Sequence, residues 1–137
     1  MTTGTAPRPL PSPVGLAAEW YAHLAGGELR FQRCRGYARW RHPPRHLCPE
    51  CGSDTWEWAE ANGHGTLFSW TVTHQALHPA FADALPYAVV VGELDEGVRV
   101  VSGVRGIEPA ELRLDLPLQA EIDRVDDAIG LVYFRPA

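Results

Sequence analysis

The chain has 137 residues, 45% of them hydrophobic, and a formal net charge of −5. This length allows one ordinary domain, or two very small domains that share a core. No apolar run approaches the roughly 20 residues that a membrane helix needs, and no secretory signal is visible, so we expect a cytoplasmic protein. The chain contains no lysine, which excludes Schiff-base chemistry by a lysine of this polypeptide.

The first segment is rich in proline. Residues 1–13 contain four prolines with Thr, Ser and Gly between them, which predicts a disordered or extended leader. Residues 14–28 are predicted to hold an N-terminal helix, because Leu16, Trp20 and Leu24 recur at four-residue spacing. A helix this short is marginal alone, so its apolar face should pack on its own domain or on a partner protein.

Residues 29–62 have the layout of a small zinc ribbon. Three short strand-like runs surround a lone Cys34 and the close pair Cys48 and Cys51. Three cysteines are an odd number for a disulfide framework, and Cys-x-x-Cys spacing in a reduced compartment suggests metal or redox chemistry instead. In zinc ribbons, metal holds small β-hairpins together at such cysteine turns.

The candidate metal ligands are incomplete. Structural zinc takes four ligands, normally from two Cys-x-x-Cys pairs, but Tyr37 stands where the first pair would have its second cysteine. An imidazole nearby could substitute, so the predicted zinc ligands are Cys34, Cys48 and Cys51 with either His46 or His42. Any zinc should be closed and structural, not catalytic. The alternative is a ribbon without metal, held by packing of Trp40, Trp56 and Trp58.

One part of the ribbon is strongly basic on an otherwise acidic chain. Sixteen residues contain six arginines and no Asp or Glu, namely Arg30, Arg33, Arg35, Arg39, Arg41 and Arg45. A cluster of this kind can attract phosphate groups.

Residues 63–137 are predicted to form a small Greek-key barrel of the OB type. Five apolar or alternating runs are separated by turn signals and carry an insertion after the third, at 66–75, 87–94, 98–104, 118–125 and 131–136. The fold class is therefore mostly β, with an N-terminal helix, a rubredoxin-like ribbon and a five-stranded OB-fold barrel.

A long loop lies between the first two barrel strands and carries His74, His78, Phe81 and Tyr87. A helical metal pair is disfavoured, because Pro79 directly follows the second histidine and the preceding run is a strand. OB folds meet ligands through such loops, so a functional loop is favoured over an ordinary solvated one.

In their order, these pieces resemble the family catalogued as domain of unknown function 35, a zinc ribbon followed by an OB fold. The resemblance covers residues 16–136 and rests on motifs at family spacing, namely PPR-x-x-CPECGS, G-x-G-T-x-x-S-x-T-V, HPAF, LPY and ELDEG. Tyr37 departs from the family pattern, which usually has its second cysteine there.

The resemblance implies a non-catalytic partner subunit of a thiolase-fold enzyme, including the lipid-transfer-protein-like aldolases that shorten steroid side chains as CoA thioesters. A two-plus-two heterotetramer would follow from the usual thiolase dimer. Basic residues would then meet CoA phosphates, and the loop would meet the partner. The residues expected in these contacts are Arg33, Arg35, Arg39, Arg41, Arg45, His74, His78, Phe81 and Tyr87.

Two other hypotheses fit parts of the sequence. An OB fold with a basic ribbon and many aromatic residues could bind single-stranded nucleic acid, although the acidic barrel and the missing lysines oppose this. A free-standing enzyme would need His74 or His78 as a general base, which rests only on the histidines of the loop.

Overall fold

A computed structural model of the chain describes residues 8–137. Residues 1–7 of the predicted leader lie outside this range, and residues 8–13 form neither helix nor strand. The first element is helix α1, Leu16–Ala25, which ends at Gly26 and Gly27. Neither α1 nor any other helix within residues 8–137 is long and apolar enough to cross a membrane.

The ribbon is a three-stranded antiparallel sheet in the order β2-β1-β3. Its strands are β1 at Arg30–Cys34, β2 at Trp40–Arg41 and β3 at Trp56–Glu60. The central strand is covered on both faces, because Phe31 and Gln32 are both fully buried although their side chains point in opposite directions. Both faces of the ribbon sheet are therefore packed against other parts of the chain at this strand.

The second unit is a closed five-stranded barrel in the order β4-β5-β6-β8-β7. Its strands are β4 at His64–Thr73, β5 at Tyr87–Leu94, β6 at Arg99–Val104, β7 at Pro117–Arg124 and β8 at Gly130–Pro136. Parallel pairing of β6 with β8 closes the barrel. Short 3₁₀ turns lie after β4, at Pro79–Ala84, and after β6, at Pro109–Glu111. The predicted fold class is confirmed, including the insertion after the third strand.

Helix α1 packs against both units. Trp20 and Leu24 share one buried core with Phe31 of the ribbon and with Val132 and Phe134 of the barrel. The indole nitrogen of Trp58, on β3, also donates a 3.1 Å hydrogen bond to Glu19 of the helix. Of the two alternatives for its apolar face, α1 therefore packs on its own chain.

Helix and barrel approach each other closely at Gly130, the first residue of β8. A Cβ atom placed there would lie 2.4 Å from the carbonyl carbon of Leu24 and 2.6 Å from the nitrogen of Ala25. Both are backbone atoms, which no side-chain rotation can move away. Only glycine therefore allows the end of the helix to pack this closely against the strand.

We predict that Gly130→Ala destabilises the protein by about 3 kcal/mol, because the added methyl group forces the helix off the barrel. Urea unfolding at neutral pH measures the change. Gly26→Ala is the matched control at the same helix end. Its Cβ would meet nothing closer than 3.4 Å, so a change within about 0.5 kcal/mol is expected. Equal effects of the two substitutions would contradict the proposed packing.

Candidate functional site

The three cysteines converge at one end of the ribbon. Their sulfur atoms all lie within 4.8 Å of one another, and the Sγ atoms of Cys34 and Cys51 are 3.6 Å apart. Tetrahedral zinc with Zn–S bonds of about 2.3 Å places its sulfurs about 3.8 Å apart, whereas a disulfide needs about 2.05 Å. The spacing therefore fits structural zinc, and all three thiols are free.

The two thiols of the close pair differ in their surroundings. The backbone N–H groups of Glu50 and Cys51 favour the thiolate of Cys48 and lower its pKa. At Cys51, the backbone N–H of Ser53 also favours the thiolate, but partial desolvation and the two neighbouring sulfurs together outweigh it and raise the pKa. Adjacent thiolates repel one another, so a bound cation is what would let all three ionise together.

Neither candidate histidine belongs to this cluster within residues 8–137. The ring of His42 lies between Trp20 and Phe31, with centroid distances of 4.8 and 5.1 Å. Burial there lowers the pKa of His42 to about 4, so its ring is neutral near pH 7. His46 is exposed. The structure thus brings together three of the predicted ligands, while aromatic packing also holds the ribbon, with the Trp56 and Trp58 rings 5.3 Å apart.

A buried glutamine organises the loop that leads to the close cysteine pair. The side chain of Gln32 donates to the carbonyl of Arg45 at 2.8 Å and accepts from the Arg45 N–H at 2.7 Å. Arg41 also donates to Gln32, at 3.2 Å, and to the Arg45 carbonyl, at 2.9 Å. The sequence analysis missed Gln32, because a polar residue within a short strand carries no sign that both faces of that strand are covered.

The ribbon arginines are largely engaged within the chain. Arg33 pairs with Glu57 at 2.8 Å, and Arg39 pairs with Glu50 at 3.1 Å. Arg41 is only 5% exposed, which removes it from the arginines that a phosphate could reach. Within residues 8–137, Arg35 and Arg45 are exposed and make no direct ion pair with a carboxylate, although the charge of Arg35 acts on Glu57 from a distance. These two side chains are the least engaged cations of the ribbon.

The long loop lies beside a groove of about 640 Å³ on the barrel surface. Phe81 and Tyr87, whose rings are 5.8 Å apart, line it together with Arg8, Val104, Arg105 and Tyr133. The loop also borders a smaller hollow of about 320 Å³, which includes His74. Two of the four predicted loop residues therefore share one groove, and a third lies close by.

His78 has a different position. Its Nδ1 accepts a 3.0 Å hydrogen bond from the N–H of Ala80 and so caps the 3₁₀ turn, while its ring lies 6.1 Å from that of Phe81. These two contacts of His78 stabilise the loop. Neither of them pairs the imidazole with a nucleophile or a carboxylate, as a general base would require.

One wall of the groove carries a charge network that the sequence did not reveal. Arg105 stacks 3.7 Å above the Tyr133 ring and donates two hydrogen bonds to Asp123, at 3.0 and 2.5 Å. This guanidinium lowers the pKa of Asp123. The network joins residues far apart in the chain, and only the pairing of β7 and β8 with their neighbours brings them together.

Comparison with known proteins agrees with both units. Family models described as "ChsH2, rubredoxin-like zinc ribbon domain" and "ChsH2, C-terminal OB-fold domain" match residues 22–57 and 58–123. A chain of the solved Ltp2-ChsH2(DUF35) aldolase superposes with a TM-score of 0.83 at 36% identity, over 93% of this chain and 98% of that one. The chain belongs to the ChsH2 (DUF35) family. This confirms the resemblance seen in the sequence.

Relatives in this family are named as enzyme subunits or scaffolds. A probable enoyl-CoA hydratase alpha subunit of Thermomonospora curvata is 38% identical over 95% of this chain. The 3-oxo-4,17-pregnadiene-20-carboxyl-CoA hydratase alpha subunit of Mycobacterium tuberculosis is 33% identical over 68% of it. The chain spans only 40% and 29% of these two proteins. A DUF35 domain-containing scaffold protein of Methanocaldococcus jannaschii is 26% identical, over 69% of this chain and 67% of its own length.

The position of His42 in this ChsH2-family ribbon predicts a pH dependence. Its pKa is about 4 in the folded chain against 6.5 for an ordinary histidine, so the unfolded state binds the proton more tightly. Its contribution to stability is therefore complete above pH 6.5 and is lost as the pH falls towards 4. Between pH 7 and 4.5 we expect a loss of about 2–3 kcal/mol from this group.

Urea unfolding of the wild type and of His42→Phe across this range isolates the effect, because both proteins share every other titratable group. The wild type should lose more stability than the variant as the pH falls. Parallel pH profiles would show that His42 is not buried as a neutral ring.

Proposed function

We propose that this chain is a non-catalytic accessory subunit that binds a thiolase-fold partner and supports its action on acyl-CoA thioesters. The observation that carries the proposal is its near-complete superposition on a chain of the two-component Ltp2-ChsH2(DUF35) aldolase. The scaffold and subunit names of the relatives support the same role. The reaction we favour is cleavage of a carbon–carbon bond by the partner, in a two-plus-two assembly.

The loop after β4 is the proposed partner contact. Leu77 is 89% exposed there, the largest exposure among the large apolar side chains of residues 8–137. Transfer of an exposed leucine side chain from water into an apolar interface with a second protein is favourable. The next residues, from His78 to Phe81, connect this tip to the groove, so partner binding and the groove would be adjacent.

The groove is the proposed passage for the acyl group. Phe81, Tyr87, Val104 and Tyr133 give it apolar walls, while Arg8, Glu108 and the ion-paired Arg105 add charged groups. A steroid-like acyl chain suits such a mixed lining, and the pregnadiene-carboxyl-CoA named for one relative supports this substrate class. The CoA phosphates would bind exposed arginines of the ribbon. Arg35 and Arg45 are favoured, because within residues 8–137 neither would have to break a direct ion pair.

Single-stranded nucleic-acid binding receives little support by comparison. Besides the ribbon pairs, Arg99, Arg105 and Arg135 of the barrel are each within 2.9 Å of a carboxylate oxygen. Cations already paired in this way gain less from a phosphate backbone, and the chain as a whole is acidic.

The first test is coexpression with a thiolase-like partner. We expect the two chains to copurify as a stable complex, with cleavage of an acyl-CoA substrate that neither chain performs at the same rate alone. Liquid chromatography of the CoA products measures the activity, and light scattering gives the stoichiometry. Chains that never associate, with full activity in the isolated partner, would refute the proposal.

A second prediction concerns the loop. Leu77→Ser should weaken binding to the partner about tenfold, which corresponds to about 1.4 kcal/mol, because it removes apolar surface from the interface. Leu114→Ser is the matched control. Leu114 is 66% exposed, but its neighbour Asp115 hydrogen-bonds to Leu67 near the other end of β4. Surface plasmon resonance with the immobilised partner measures both variants, and equal losses would place the contact elsewhere.

A further inference from the structure

The two turns that present cysteines in the ribbon have the same backbone structure. In the second turn, the N–H of Cys48 donates to the carbonyl of Ser53 at 2.9 Å, and the N–H of Gly52 donates back to the carbonyl of Cys48 at 2.8 Å. In the first turn, the N–H of Cys34 donates to Arg39 at 2.8 Å, and the N–H of Ala38 donates back to Cys34 at 2.9 Å. Each turn therefore closes through the same pair of bonds, at the same sequence spacing.

The backbone dihedral angles agree as well. Gly52 has a φ of 73°, and Ala38, at the equivalent position, has a φ of 54°. Glycine adopts this left-handed conformation freely, whereas an alanine there costs roughly 1–2 kcal/mol. The first turn thus keeps the shape of a metal-binding turn, although an alanine replaces the glycine that would favour it.

This equivalence defines the position of Tyr37. It is the third residue after Cys34, just as Cys51 is the third residue after Cys48, so it occupies the place of a fourth thiolate. Its side chain is 68% exposed. As described above, neither His42 nor His46 joins the three sulfurs.

The resulting site is open on one side. Cys34 and Cys48 are only 1% and 3% exposed, but Cys51 is exposed to solvent. Arg39, from the first turn, pairs with Glu50 of the second at 3.1 Å, so an exposed ion pair also links the two turns. Zinc requires four ligands in such sites, and thiolates are ligands it binds well.

We propose that this ribbon binds zinc through Cys34, Cys48 and Cys51 only, and that the fourth coordination position exchanges with ligands from outside the chain. Water fills it in the isolated protein, and a small-molecule thiol replaces that water as a thiolate, releasing its proton to solvent. The zinc is therefore structural but not closed, which differs from the closed site expected from the sequence. This inference does not depend on the proposed partner.

The test uses the full chain, reduced with a phosphine and loaded with Co²⁺ or Zn²⁺. X-ray absorption of the zinc form should show three sulfur ligands and one oxygen or nitrogen. Titration with 2-mercaptoethanol should change the visible spectrum of the cobalt form saturably. Thiolate-to-cobalt absorption should rise by about one third as three thiolates become four. An unchanged wild-type spectrum would overturn the proposal.

Tyr37→Cys supplies the missing thiolate from within the chain. We expect four sulfur ligands, no response to added thiol, and zinc affinity at least tenfold higher in competition with a chromophoric chelator. Tyr37→Phe is the matched control and should behave as the wild type, because it removes only the phenol oxygen. If Tyr37→Cys misfolds, the double variant with Ala38→Gly relieves the strained turn.

Two further results would overturn the proposal. His46→Ala or His42→Phe could remove the fourth ligand of the wild type, which would show that an imidazole of the chain fills the position. Alternatively, the wild type could bind no metal while Tyr37→Cys binds one equivalent, which would show that three thiolates are insufficient.

Discussion

The packing of helix α1 against both the ribbon and the barrel is the contact on which the rest of the structure depends. Leu24 is completely buried between them, and the absence of a side chain at Gly130 permits its close approach to β8. Burial of Leu24 and Phe31 contributes about 1.5–3 kcal/mol each. Because one core includes residues from helix, ribbon and barrel, the cysteine turns and the groove keep a fixed relation to each other.

Ion pairs in this protein link neighbouring strands and turns. The basic region of the ribbon is balanced across its strands by Glu57 and across its two turns by Glu50. Exposed ion pairs of this kind contribute little stability, but they do reduce the positive field that a polyanion would meet. Among the described ribbon residues few cations remain without a direct ion pair, which suits a small phosphate-bearing molecule better than a long nucleic-acid strand.

The local patterns of the sequence predicted the succession of elements well, because each one carries its own signal. Alternation identified strands of the barrel, and the four-residue spacing of Leu16, Trp20 and Leu24 identified the helix. Side-chain partners were far less predictable. Arg41 and Arg35 belong to the same basic cluster of the sequence, yet one is buried on Gln32 and the other faces solvent. Likewise, the pairing of Arg105 with Asp123 depends on barrel closure, which no short stretch of sequence encodes.

The shared core also explains how the ribbon can tolerate an incomplete set of metal ligands. An isolated zinc finger derives most of its folding free energy from the metal, so the loss of one ligand would unfold it. Here Phe31 and Leu29 of the ribbon are buried in the same cluster as the barrel residues, and Gln32 pairs with both backbone polar groups of Arg45. These contacts are independent of the cysteines. Packing therefore maintains the first turn even with Tyr37 and Ala38 in place of the usual cysteine and glycine. The metal site is then free to differ from its relatives while the surfaces that would meet a partner stay in position.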